Sequence, residues 1–169
     1  MSGLLHLYWG EGKGKTTAAM GLALRALGAG RRVVVVQFLK GRQTGEIPLL
    51  ERLGAQVFRG KAGSKFSFQM GEAEKAETKA LQTEHLRQAL GLAADLLVLD
   101  EACAAWQTGL VDLALLKAAV LDRPEGREVA CTGREPPEWL LEAADYSTEM
   151  RCHRHPFQRG VPAREGVEF

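Results

Sequence analysis

An apolar run, "LLHLYW" at 4–9, leads without a break into "GEGKGKTT" at 10–17, and a helical pattern starts at once behind it. A strand, a glycine-rich turn and a Lys-Thr pair opening a helix form the arrangement that phosphate binding requires. Glycines let the backbone turn its N–H groups inward, the helix start adds positive potential, and lysine adds a full charge. Lys15 is that lysine, Lys13 is a second cation, and Thr16 offers its hydroxyl to Mg²⁺; Gly10, Glu11, Gly12, Gly14 and Thr17 complete the cradle. The usual loop has four residues between its first glycine and Gly-Lys-Thr. Counting back from Gly14, that first position holds Trp9, and the nearest glycine is Gly10. The loop is one residue short. It is either a glycine-rich turn with solvated lysines or a loop built to hold a nucleotide differently.

Behind it, strand and helix patterns alternate. Residues 4–9 read as a strand and 15–27 as a helix with Ala19, Leu22, Ala23, Ala26 and Leu27 on one face, stopped by "GAG" at 28–30. "VVVVQF" (33–38) is continuously apolar, as expected for a strand covered on both faces. A short strand is expected at 56–59, a long helix at 72–93, a buried strand at 96–100 and a helix at 112–121. A strand at 128–132, a helix at 136–144 with proline in its first turn, and a last strand at 146–152 precede an irregular tail. This alternation predicts an α/β fold with a mostly parallel sheet and helices on both faces. Ligands of such sheets bind beyond the carboxyl ends of the strands. The loops at 10–14, 39–46, 100–101 and 132–135 all leave strands at that edge and are expected to meet.

"LLVLDEA" ends a buried strand in Asp100 and Glu101, which suit a Mg²⁺ ion held directly or through water beside the loop. The alternative is a solvated helix start, where acids favour the dipole. Loop and acids together favour nucleotide binding. Arg134, in "TGR", can reach a phosphate with its planar fork or stand as a surface arginine in a turn. Arg25 is either a nucleotide contact or a snorkelling surface residue. "CHRH" (152–155) suggests zinc, yet no further ligand pair at suitable spacing accompanies it, and on a strand Cys152 points away from His153 and His155. Phe66 and Phe68 in "KFSF" stand at strand spacing, as a small satellite core or a mobile aromatic wall for a flat ligand.

A chain of 169 residues with 46% apolar and 25% charged side chains suits one domain, 1–169, with a real core. Its net charge of +1 gives no general case for nucleic acid or an anionic membrane as partner. No apolar run approaches the roughly 20 residues of a membrane helix, and the start lacks an export signal. Three cysteines without CxxC spacing argue for reduced thiols, and so for the cytoplasm.

With these residues in view, the chain resembles the bacterial P-loop cob(I)alamin (corrinoid) adenosyltransferases. The match runs through the short loop at 10–17, "LALRALG", "VVVVQFLKG", "GEIPLLE", "LLVLDE", "TGR" and the tail "HPFQRGVPAREGVEF", in order over nearly the whole chain. The resemblance implies a P-loop (RecA-like) domain, ATP and a reduced corrinoid as substrates, Mg²⁺, and transfer of the 5′-deoxyadenosyl group to cobalt(I) with release of triphosphate. It implies ATP lying reversed along the loop, which would account for the missing residue. Lys15, Thr16 and Arg134 would stabilise the departing triphosphate, and Asp100 and Glu101 would hold the metal and its waters. Phe66 and Phe68 match aromatics that remove the lower axial ligand of cobalt(II) before its reduction. His155 and Phe157 would line the corrin or nucleoside side. A homodimer and a reduced flavoprotein or other electron donor are implied as partners. The chain departs from the family pattern at Glu11, commonly asparagine, and at Phe68, often tryptophan. It also departs in having only Met1-Ser2-Gly3 before the first strand, so that site closure is expected from 39–46, 60–72 and the tail. The rival readings are a small P-loop kinase or ATPase and a non-catalytic nucleotide or corrinoid binder.

Overall fold

The protein's structure, a computed structural model, describes residues 3–42, 44–61, 63 and 65–169. In chain order its elements are β1 (Leu5–Trp9), α1 (Lys15–Gly28), β2 (Val33–Gln37), α2 (Glu46–Arg52), β3 (Gln56–Arg59), α3 (Glu72–Leu90) and β4 (Leu96–Asp100). They continue with α4 (Ala102–Thr108), α5 (Leu113–Leu121), β5 (Glu128–Gly133), α6 (Glu138–Ala143) and β6 (Tyr146–Glu149). The strands form one sheet of six in the order β3-β2-β4-β5-β1-β6, with every pairing parallel.

Burial explains the runs of aliphatic residues. Every residue of β2 and β4 is buried. Successive side chains of a strand point to opposite faces. Val33, Val35, Leu96, Val98 and Ala130 therefore pack with Ala19, Met20 and Ala23 of α1 and Ile47 and Leu50 of α2. Val34, Val36, Leu97, Leu99, Val129 and Cys131 meet the other layer, including Leu86 of α3, Cys103 of α4, Leu116 of α5 and Leu140 of α6. Helices thus cover both faces, as the alternation predicts.

Several expectations need correction. The sequence reading has no helix at α2 or α4. Each is seven residues long, below the window in which a 3.6-residue period is readable. The long helix ends at Leu90 rather than 93, and the last strand stops at Glu149 rather than 152. Pro137 caps α6 from outside instead of sitting in its first turn. Phe66 and Phe68 are not on a strand. Phe66 caps a 3₁₀ turn, Ser67–Gln69, which brings the two rings into parallel stacking at 5.6 Å. They form no satellite core: Phe66 is 65% and Phe68 81% exposed. Within the closure segments, Gln43, Ala62 and Ser64 lie outside the described residues, as do Met1 and Ser2.

The topology places the site. β5 lies between β1 and β4, and the registers Trp9↔Gly133 and Leu99↔Cys131 bring the strand ends nearly level. Gln37 stands opposite Asp100 on the next strand. The chain segments that follow β1, β2, β4 and β5 therefore gather at one edge.

Candidate functional site: a phosphate loop over a buried aspartate

Gly10 and Gly14 adopt φ of 101° and 112°, a region that side chains with a Cβ rarely enter. Gly12 has a different reason to be glycine. Its N–H donates to the Met150 carbonyl at 2.6 Å, and an added Cβ would stand 2.6 Å from the same oxygen. The Gly10 N–H donates to the carbonyl of Arg134. The short loop is thus pinned down between the chain leaving β5 and the chain leaving β6. Trp9, in the place of the absent glycine, donates its indole N–H to Ser147 Oγ at 3.0 Å. Behind the loop, the first turn of α1 presents N–H groups that have no intrahelical acceptors. Lys15 Nζ donates to the Gly12 carbonyl at 2.7 Å. Partial burial draws its pKa down, with Glu101 opposing.

Beneath the loop, Asp100 is fully buried. Its Oδ1 accepts from Thr16 Oγ1 (2.9 Å) and Thr132 Oγ1 (2.7 Å). Its Oδ2 accepts from Gln37 Nε2 (3.0 Å) and Lys40 Nζ (2.5 Å). Lys40 Nζ also donates to Thr16 Oγ1 at 3.0 Å. Glu101 is held in the left-handed region at φ 59°, a costly conformation for a non-glycine residue that persists where the surroundings enforce it. Its N–H donates to Thr132 Oγ1 at 2.9 Å. Burial raises the Glu101 carboxyl pKa, and the neighbouring Asp100 charge raises it further. Arg134 donates to Glu11 Oε2 at 3.2 Å in an exposed pair.

Lys15, Thr16, Lys40, Glu101 and Arg134 border a cavity of about 1170 Å³, whereas Asp100, Gln37 and Thr132 lie behind them, outside its lining. Glu11, Gly12, Lys13, Gly14, Lys15, Thr16 and Thr17 form one side, with Lys40, Glu101, Arg134 and His155. α2 and its flanks add a second group of lining residues, in which leucines stand beside Glu46 and Arg52. Leu24 of α1 with Leu49 and Leu53, from α2 and its end, are each about half exposed there. Residues Gly166–Phe169 cross one margin, where Lys13 Nζ donates to the Val167 carbonyl and the Arg42 guanidinium lies over the Phe169 ring.

The structure does not bring every expected residue to this cavity. Gly10, packed against Glu149 and Met150, is not part of its lining, and Arg25 is exposed in the last turn of α1. Phe157 is exposed and outside it, though its N–H donates to His155 Nδ1. Phe66 is exposed off the cavity, and Phe68 borders a separate cleft of about 260 Å³ with Lys75 and Leu110. Cys152 and His153 are exposed on irregular chain, and the described residues contain no cluster of three or more His, Cys, Asp or Glu able to hold a metal.

Gln37, Lys40 and Thr132 escape the sequence reading. Gln37 and Thr132 are polar residues near the carboxyl ends of otherwise apolar strands, and Lys40 follows one. That position was the available signal. Thr16 and Asp100 present hard oxygens of the kind Mg²⁺ takes, and the Lys40 ammonium between them shows that a cation fits there. The donor set suits the ion.

A parallel sheet with a glycine-rich loop entering a helix, and a buried aspartate two strands away, defines a P-loop nucleotide-binding domain. The chain belongs to one family of such proteins, the ATP:corrinoid adenosyltransferases BtuR/CobO/CobP, whose model matches residues 1–169. A corrinoid adenosyltransferase of Pseudomonas aeruginosa is 37% identical over 99% of this chain and 84% of its own length. Corrinoid adenosyltransferase CobA of Salmonella typhimurium is 36% identical over 99% and 86%, and a corrinoid adenosyltransferase of Escherichia coli K12 is 34% identical over the same shares.

Proposed function

We propose that this protein transfers the 5′-deoxyadenosyl group of ATP to the cobalt(I) of a corrinoid and releases triphosphate. The observation that carries the reading, beside family membership, is one cavity that joins the lysine-bearing glycine loop to half-exposed leucines. Its volume, about 1170 Å³, exceeds the roughly 300–1,000 Å³ that suffices for a drug-sized ligand. There is room for a nucleotide and part of a second substrate.

Cobalt(I) contributes the electron pair that forms the Co–C5′ bond, and the C5′–O bond breaks with its pair leaving on the triphosphate. No protein nucleophile or general base is needed. The protein orients the two substrates and stabilises charge on the leaving group. Lys15, Lys13, the first-turn N–H groups of α1 and Arg134 do so; Arg134 exchanges Glu11 for phosphate. Thr16, Asp100 and Glu101 would hold Mg²⁺, directly or through water, and the ion when bound would share the charge of the triphosphate. The raised pKa of Glu101 is consistent with a carboxylate awaiting a cation. Of the expected residues Arg25, His155 and Phe157, His155 lines the cavity and belongs to the nucleoside or corrin side. The exposed, stacked Phe66 and Phe68 are offered to the corrinoid, where they would displace the lower ligand of cobalt(II). A reduced flavoprotein or other donor supplies the electron, and the protein works in the cytoplasm as a homodimer.

The test is product identity. Incubated with MgATP and a reduced corrinoid, the protein should form triphosphate and an adenosylated corrinoid. ADP without a cobalt–carbon product would defeat the reading in favour of a kinase or ATPase, and binding without turnover in favour of a carrier or sensor. Phe68→Ala should slow the reaction from cobalt(II) by at least tenfold more than the reaction from pre-reduced cobalt(I). Equal losses would remove the aromatic pair from the reduction step.

A further inference from the structure

Asp100 is fully buried, and among the described residues its carboxylate receives four hydrogen bonds, of which only that from Lys40 brings a positive charge. A buried carboxylate needs such a partner. The two oxygens that Lys40 Nζ touches, Thr16 Oγ1 and Asp100 Oδ2, are also the ones suited to a divalent cation. An ammonium and a metal ion cannot occupy one position. Lys40 has an exit: its side chain is 24% exposed and borders the cavity. Its base, by contrast, is fixed. Leu39 is held at φ 59°, and its N–H donates to Oε1 of the buried Gln82, whose amide donates in turn to the Leu110 carbonyl. The Phe38 N–H donates to the Asp100 carbonyl. A strained non-glycine residue with this much support aims the following side chain.

We infer that Lys40 is a tethered counter-cation. It neutralises Asp100 while the nucleotide site is empty, yields the place between Thr16 and Asp100 to a divalent ion, and turns its ammonium into the cavity onto the triphosphate. The inference rests on the reading of Thr16 and Asp100 as metal-holding residues. The bland alternative is a permanent structural ion pair.

Manganese(II) titrations followed by electron paramagnetic resonance, on full-length protein without nucleotide or corrinoid, separate the two. Lys40→Met should bind Mn²⁺ at least tenfold more tightly than wild type. Lys40→Arg should stay as weak as wild type, and adding Thr16→Ala to Lys40→Met should abolish the gain. Lys40→Gln, which keeps a donor without the charge, makes the same prediction if the methionine variant fails to fold. With saturating Mn²⁺, affinity for inorganic triphosphate should fall about tenfold in Lys40→Met and Lys40→Gln but not in Lys40→Arg. Unchanged Mn²⁺ affinity in a folded, uncharged variant would overturn the exchange, and unchanged triphosphate affinity would overturn the second position of the ammonium. Neither result bears on adenosyl transfer, which product analysis decides separately.

Discussion

Lys15→Ala is expected to cut the rate of adenosyl transfer by about 10²–10³-fold, the usual cost of losing one donor aimed at developing negative charge. The fold should survive, because the lysine's hydrogen bond is a local one to the Gly12 carbonyl. Partial burial already depresses the lysine's pKa; a phosphate would reverse that bias by supplying the missing counter-charge. Most of the effect should therefore fall on the chemical step and triphosphate retention. The check is single-turnover formation of the cobalt–carbon bond, followed by absorbance, beside a thermal melt. A loss of less than fivefold would remove Lys15 from its proposed role.

Asp100→Ala should act on stability as much as on turnover. It leaves an amide and two hydroxyls beneath the loop without their acceptor and takes the counter-charge from Lys40. Removing one partner of a buried ion pair costs about 3–5 kcal/mol. For a chain of this size each kcal/mol moves the unfolding midpoint by about 2–4 °C, so a fall of roughly 6–20 °C is expected in chelator without nucleotide. Asp100→Asn keeps the shape and an acceptor oxygen and should fall less. A midpoint within about 2 °C of wild type for the alanine variant would show that Asp100 does not organise the edge of the sheet.

Much of this was readable in the residues because physics made it local. Val33–Val36 and Leu96–Leu99 are aliphatic without alternation because helices cover both faces, and that pattern survives in the sequence. The phosphate loop was readable for a similar reason: Gly14 at φ 112° and Lys15 behind it follow from backbone geometry over a few residues. What stayed hidden depends on register. Gln37 gains its meaning only by standing opposite Asp100, and Thr132 only because β5 lies between the loop strand and the acid strand. No spacing within one segment announces either. Phe66 and Phe68, separated by one residue, fit strand alternation and a 3₁₀ turn equally well. The hydrogen bond from the Gln69 N–H to the Phe66 carbonyl and that from the Phe66 N–H to the Gln69 side chain close the turn.

Trp9 has a use beyond its place in the loop. Its indole sits one residue before Gly10 and is tethered to β6 through Ser147, whereas Trp106 and Trp139 lie together, edge to face at 5.0 Å. With that pair changed to phenylalanine, the remaining indole becomes a native fluorophore next to the glycine-rich loop. Ligand arrival could then be followed in real time without attaching a dye.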